Sequence, residues 1–533
     1  MKASPFLFAW VLLLTACTPK APPAAPAAAD VHTTPAIAAA PAHAGDTALP
    51  PGIPWFTGGV EAAFAESAKT GRPVFLYWGA VWCPPCHQLK ATVFSRSDFQ
   101  QKSQLFIPVY LDGDEPGAQK WADAFGISGY PSVLILNADR SEILRIAGGM
   151  DLSQYVTVLD AALENRRPVH EVLASLARPG ARGSADDCRR VAWQAWGLED
   201  TAVAASQLRG QQLRAAGQAC AGSKADERAR LAILAASNFA RAAAEHPGSL
   251  PKPLALQVGA VLADPAAAVR QLDALLELGA PYFRALRDID ALTAATQLGQ
   301  YTNAMITAAD APAFARADQL GAITRGLLAS KALAADGRPD ARLVTLARER
   351  IARELAVKDV PYVRSGIVTG AIEALDALDD HAQAYDIAKR EIDTASSPHY
   401  FMSAVADECE ALGRRDEALQ WHERAYRASH GAATRFQWGS YWLIAQMKLA
   451  PDDGARVQEA GLAVLAELDA PDAIYRRSRI RLERIDTALK DWSRGNPARA
   501  PVAAALRTRT RSICDRLPPG DAALTACRAF SAG

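Results

Sequence analysis

An α/β unit followed by a long all-helical region is the fold class this sequence predicts, and three observations carry it. Val74–Gly79 is a continuous apolar run, the pattern of a strand buried on both faces, and it leads directly into Cys83-Pro84-Pro85-Cys86. From Trp55 to Arg166 short strand signals alternate with helical ones. Beyond Arg167 strand signals stop, and Ala-, Leu- and Arg-rich segments of helical period follow one another, punctuated by Gly, Pro and Asp.

At 533 residues the chain exceeds what one hydrophobic core organises, so at least two domains are expected. Lys and Arg together number 58, as do Asp and Glu, which argues against the basic surface that nucleic-acid binding needs. Residues 1–17 read as a targeting segment, with Lys2 as its charge and Phe6–Leu14 as its apolar run. That run is about half of the roughly 20 residues a membrane span needs. Its end, Leu14-Thr15-Ala16-Cys17, resembles the lipobox of bacterial lipoproteins, which implies lipidation of Cys17. The same resemblance, with Thr18 rather than Asp after the cysteine, implies a periplasm-facing protein anchored in a bacterial membrane, the outer membrane favoured. Residues 18–52 are almost wholly Ala, Pro and small polar residues and read as an extended tether.

The first folded unit is expected over residues 53–167. Val60–Thr70 has helical spacing (Val60, Ala63, Phe64, Ser67) and stops at Gly71-Arg72-Pro73, a Gly C-cap followed by proline. After the strand Val74–Gly79 comes a helix from Pro84 to about Phe94, a strand Phe106–Leu111 and a helix around Ala118–Phe125. Gly129-Tyr130-Pro131-Ser132 interrupts the chain; strands Val133–Leu136 and Glu142–Ala147 flank the turn Asn137–Arg140, and an amphipathic helix Ser153–Glu164 closes the unit. Residues 168–533 are expected to form an all-α domain of helical hairpins.

Of eight cysteines, Cys17 is the lipobox residue, two form the Cys83/Cys86 pair and five lie in the helical region. An exported chain can keep disulfides. Cys514 and Cys527 flank the helix-breaking Leu517-Pro518-Pro519-Gly520, which can bring two short helices side by side; Cys188 with Cys220 is then the natural second pair, although five cysteines permit many pairings. Cys409 is left over and reads as a small core hydrophobe. Cys83 would sit at a helix N-terminus, where unpaired N–H groups and the helix dipole stabilise an exposed, attacking thiolate below the usual value of roughly 8.5. Pro84 and Pro85 suit a first turn whose N–H groups have no intrahelical partner. Cys86, one turn inside, would resolve the mixed disulfide. No second Cys-x-x-Cys or nearby Cys/His pair completes a zinc site, so no metal is expected. His87 is read as modulating the local field or as solvated.

Trp82-Cys83-Pro84-Pro85-Cys86 after an apolar strand, with Gly129-Tyr130-Pro131-Ser132 downstream, resembles the thioredoxin superfamily: a mixed sheet flanked by helices. Within it, Cys86-His87-Gln88-Leu89-Lys90 and Val93-Phe94-Ser95 resemble the C-terminal domain of the transmembrane thiol:disulfide interchange reductase and related periplasmic proteins. The resemblance implies that Cys83–Cys86 is a redox-active disulfide, that Pro131 is a cis-proline, and that Trp82, Tyr130 and Pro131 bind the client. One position departs: the family's buried aspartate, which takes the proton from the second cysteine, is Tyr77 here, and a phenol is a poor base near neutral pH. In the helical region, Gly413-Arg414-Arg415-Asp416-Glu417-Ala418 with Ala425 resembles the middle of a tetratricopeptide unit. Asp379-Asp380-His381-Ala382-Gln383-Ala384 holds the same register 34 residues earlier, and the pattern fades outside about 365–432.

The function expected is a membrane-anchored thiol–disulfide oxidoreductase, reductase- or isomerase-leaning, acting on exported cysteine-containing proteins. No flavin fingerprint or transmembrane conduit occurs in the sequence, so no cofactor is expected and a separate membrane redox partner would supply or remove electrons. The alternative is a tetratricopeptide-like scaffold or assembly lipoprotein whose thioredoxin-type domain mainly binds partners.

Overall fold

The computed structural model describes residues 49–115, 117–127, 129–146, 150, 154–198, 203–470, 473–521 and 523–532. The targeting segment with Cys17, and the tether up to residue 48, lie outside them. Among the described residues no helix is long and apolar enough to cross a membrane.

The first unit contains α1 (Gly59–Thr70), β1 (Val74–Gly79), α2 (Pro84–Leu89), α3 (Ser97–Ser103), β2 (Ile107–Asp112), α4 (Gln119–Ala124), β3 (Ser132–Leu136), β4 (Glu142–Ile146) and α5 (Gln154–Glu164). Gly71 closes α1 in the left-handed conformation (φ 71°), its N–H donating to the Ser67 carbonyl at 2.8 Å. The four strands run in the order β2-β1-β3-β4, mixed in direction. β1 pairs parallel with β2 (Val74 opposite Ile107, Gly79 opposite Asp112) and antiparallel with β3 (Val74 opposite Leu136), while β3 pairs antiparallel with β4. Central β1 is buried throughout, as an all-apolar run should be.

Alternation along β1 sends Val74, Leu76 and Trp78 to one face and Phe75 and Tyr77 to the other. On the first face Val60 and Phe64 of α1 and Trp121 of α4 close a core made only from this unit. On the second face Phe75, Tyr77, Val133 and Ile135 belong to a core that continues through the helical region as far as Phe530.

Two local differences from the expected elements have physical causes. The helix that begins at Pro84 is α-helical only to Leu89 and continues as a π-helical turn, Lys90–Phe94. There the Thr92 hydroxyl donates to the Gln88 carbonyl (2.8 Å) and the Ser95 hydroxyl to that of Ala91 (2.6 Å), competing with backbone donors. Helix α3 was not signalled by periodicity; its seven residues bury only Phe99 and Ser103.

From Val169 to Ala532 the described chain is helical. The five helices that contact the dithiol end of the first unit or α4 beside it are labelled in chain order: α6 (Arg316–Leu333), α7 (Pro361–Ala377), α8 (Pro398–Ala411), α9 (Ala432–Leu449) and α10 (Arg476–Ser493). The two regions are joined tightly near the chain crossing. Buried Arg145 on β4 donates to the Phe125 carbonyl (2.6 Å) and pairs with Glu142 (2.8 Å), and its backbone N–H donates to Gln194 Oε1 (2.6 Å). Between Pro361 and Ala428 two hairpins follow each other, and their turns place Asp379 (φ 59°) and Gly413 (φ 73°), 34 residues apart, in the same left-handed conformation.

Candidate functional site

Strand β1 delivers the chain to Ala80–Trp82, and the dithiol follows. Cys83 caps α2 in an extended conformation (φ −83°, ψ 111°); the Cys86 N–H donates to the Cys83 carbonyl at 3.0 Å and to Cys83 Sγ at 3.2 Å. Pro84 and Pro85 occupy the first helical positions, where no intrahelical acceptor would be available to an N–H. Cys83 and Cys86 are joined as a disulfide. A reduced Cys83 at this position receives the N–H groups that stabilise a thiolate.

The Tyr130–Pro131 bond is cis. The Tyr130 ring stacks on Trp78 (5.9 Å) and meets Trp82 edge-on (5.7 Å), and its hydroxyl accepts from Gln119 Nε2 at 3.2 Å. Only glycine fits at 113, because a Cβ there would overlap the Tyr130 hydroxyl. Tyr130 and Pro131 are half-buried.

The other side of the dithiol is formed by residues far along the chain. Trp82 Nε1 donates to both Asp114 Oδ2 (2.9 Å) and Thr434 Oγ1 (2.8 Å). The Thr434 N–H donates to Asp114 Oδ1 (2.9 Å), and its hydroxyl bonds Asp114 Oδ2. The Trp82 ring packs on Tyr400 of α8 (6.4 Å, stacked) and Trp438 of α9 (6.0 Å, edge-on). His87 is buried; its Nε2 lies 2.6 Å from the Val81 carbonyl, which only accepts, so in the neutral ring Nε2 carries the proton and Nδ1 faces Ser365 Oγ of α7 at 3.3 Å. Gln88 Nε2 donates to Asp318 Oδ2 of α6 (2.7 Å), and burial pushes the Asp318 carboxyl up to about 7. The Arg477 guanidinium of α10 lies 4.0 Å over the Tyr130 ring. Arg479 on the same helix forms a two-bond pair with Asp123 of α4, both at 2.8 Å.

Cys83 is therefore 2% exposed and Trp82 8%. The sequence led us to expect an exposed first sulfur and a His87 that is solvated or acts only on the local field. The structure differs on exposure in both cases, because α7 lies on the first turn of α2 and α8 and α9 pack on Trp82. Tyr77 contributes a phenol 3.5 Å from the Cys86 carbonyl, and burial raises its pKa far above the ordinary tyrosine value, so it is no proton acceptor at neutral pH.

The remaining cysteines fall into two groups. Cys188 is bonded to Cys220 and Cys514 to Cys527. Cys409 is free and buried, and burial, chiefly, pushes its thiol up to about 12. Among the described residues two groups of side chains have ligand-like spacing, Asp376/His381/Glu408 and Asp407/Glu410/His422. In each the histidine already lies 2.9 Å from a carboxylate oxygen, of Glu408 and Glu410 respectively. Beside Trp438 an open cavity of about 330 Å³ is lined by Tyr400, Glu373, Asp376, Asp407 and Glu408.

Residues 60–163 match the family model of a thioredoxin-like domain. The chain carries a thioredoxin-like domain, followed by a helical region. No curated protein matches the chain. A thioredoxin-like domain with a closely placed cysteine pair is compatible with thiol–disulfide redox chemistry or with binding. The side chains that sequence reasoning missed (Asp114, Asp318, Ser365, Tyr400, Thr434, Trp438 and Arg477) carry no motif; those in the helical region reach the dithiol only through tertiary packing.

Proposed function

We propose that this chain is a thiol–disulfide oxidoreductase, reductase- or isomerase-leaning, that exchanges disulfides with exported cysteine-containing proteins and is held at a bacterial membrane by a lipid on Cys17. The observation that carries the reading is the Cys83–Cys86 disulfide at the start of α2 in a thioredoxin-like domain, beside the cis Tyr130–Pro131 bond. In the reduced protein the Cys83 thiolate attacks one sulfur of a client disulfide, forming a mixed disulfide and releasing one client thiolate. Cys86 then attacks Cys83 Sγ, re-forming Cys83–Cys86 and releasing the second client thiolate. The client gains two electrons and, after protonation, the two protons that the dithiol gave up. A separate membrane redox partner returns the electrons. Tyr77 does not accept the Cys86 proton; that role falls to water or another group.

Two variants test the roles. Cys86→Ser should accumulate mixed disulfides through Cys83 on non-reducing gels after acid quenching and alkylation, and Cys83→Ser should accumulate almost none. Equal trapping by both would refute the assignment. A Cys17→Ser chain should lose membrane extraction, and normal extraction would remove the lipid anchor from the proposal.

A second reading, a tetratricopeptide-like scaffold lipoprotein whose thioredoxin-like domain mainly binds partners, draws support from the burial of Cys83 and Trp82. Insulin reduction with dithiothreitol discriminates: acceleration supports the enzyme, and its absence in a folded protein supports the scaffold.

A further inference from the structure

Several places outside the redox chemistry invite a role: the acidic cavity beside Trp438, the two histidine–carboxylate groups, the buried Cys409 and the contact of the helical region with the dithiol. The contact carries the most, because independent hydrogen bonds from α6, α7 and α9 and ring packing from α8 converge on it. We infer that helices α7, α8 and α9 form a cover closed over the Cys83–Cys86 site, and that this cover must lift before a protein client reaches Cys83. The inference rests on the proposed exchange chemistry for its purpose, but not for its geometry.

Thiol–disulfide exchange needs the incoming sulfur in line with the one it attacks, so a client must bring its own backbone and sulfur to Cys83. At 2% exposure Cys83 offers no such approach. The closing contacts are specific. Trp82, next to the reactive cysteine, shares its indole N–H between Asp114 and Thr434, and Thr434 is fixed in turn by two bonds to Asp114. Gly431 comes so near that a Cβ there would strike the Asp114 side chain. On the opposite side a Cβ at Gly366 of α7 would lie 3.7 Å from the Pro84 carbonyl, so α7 rests on the first turn of α2. His87–Ser365 and Gln88–Asp318 bind the next turn. The hydrogen bonds of this contact can each be exchanged for water, and the Tyr400 and Trp438 rings on Trp82 are the apolar contacts that opening must part. Tyr130 and Pro131 stay half-buried at the edge, with Arg477 over the Tyr130 ring, so part of the client surface remains accessible while the sulfur does not.

The test uses the full chain, reduced and freed of reductant. Cys83 alkylation is followed by peptide mapping, with iodoacetamide as the small probe and a maleimide-polyethylene glycol of about 5 kDa as the large one. In the wild type the large probe should lag behind the small one relative to their rates on an unfolded cysteine peptide. Thr434→Ala removes the Trp82 latch, and Gly366→Leu wedges α7 from α2; each should raise large-probe labelling by about tenfold with circular dichroism unchanged. Wild-type labelling by both probes at the unfolded-peptide rate would overturn the cover, whether or not either variant folds. Folded variants that label as slowly as the wild type would overturn the assigned latch. Insulin reduction, run in parallel, separates the two proposals. Faster labelling of the variants with no insulin reduction by any form of the chain leaves the cover standing and removes the enzyme; turnover with an already open Cys83 does the reverse.

Discussion

The two faces of the sheet are built from different distances along the chain. On one, Val74, Leu76 and Trp78 meet Val60, Phe64, Trp121 and Phe125, all within the thioredoxin-like unit. On the other, Phe75 and Tyr77 share a core with residues as distant as Phe530, and the dithiol lies in that core. Local residues thus secure the fold, whereas the reactive end is finished by helices hundreds of positions away. A core made of neighbours can form early and alone; the shared one waits for long-range closure.

The largest effect expected from breaking this arrangement comes from removing the helical region altogether. Residues 53–167 expressed alone should keep the sheet by circular dichroism and should expose Cys83 to alkylation about 100-fold faster than in the full chain. A fragment that fails to fold would show that the closed face does not suffice. Next, Leu76→Ala, in the closed face, should cost about 3 kcal/mol in urea unfolding because it leaves a cavity at a fully buried site. It should leave the Cys83 labelling rate in the native protein unchanged.

A smaller effect is expected from Asp318, on the shared side. Burial raises its carboxyl from 3.8 to about 7, with Asp273 adding to the shift and the Gln88 bond opposing it. The native protein therefore holds a proton that the unfolded chain has already lost, and stability falls as pH rises from about 4 to about 7. Asp318→Asn should remove that fall, gaining about 1–2 kcal/mol at pH 8 relative to pH 5 in paired unfolding curves. An equal offset at both pH values would assign the effect to packing. The smallest effect is expected at Tyr77. Its hydroxyl makes one long bond, 3.5 Å, to the Cys86 carbonyl, so Tyr77→Phe should leave the exchange rate within about twofold. A tenfold loss would make the phenol a proton carrier after all.

Much of the thioredoxin-like unit was legible because its signals are local. Val74–Gly79 reads as a buried strand from composition alone, and the observed strand has those bounds. Gly71 before Arg72-Pro73 marked the end of α1. The proline-rich dithiol turn announced a helix start, but not the π-helical turn after Leu89, which depends on where Thr92 and Ser95 send their hydroxyls. The covering of Cys83 was not legible. Trp82 and Thr434 are 352 positions apart, and His87 and Ser365 are 278 apart. Threonine and serine on helices look the same in sequence whether they face water or a buried indole. Burial of the reactive cysteine belongs to the tertiary arrangement, and no period or motif encodes it.

The Thr434 contact also sets a rule of competition. Under the proposed exchange, because it belongs to the same chain as Trp82, it would confront every client as a rival that never diffuses away, at an effective concentration on the order of millimolar. A visiting segment present at micromolar levels prevails only by binding the Trp82 and Tyr130 surface far more tightly than Thr434 and its neighbours do, or by arriving when they have let go. Transient visitors are turned away by their own dilution.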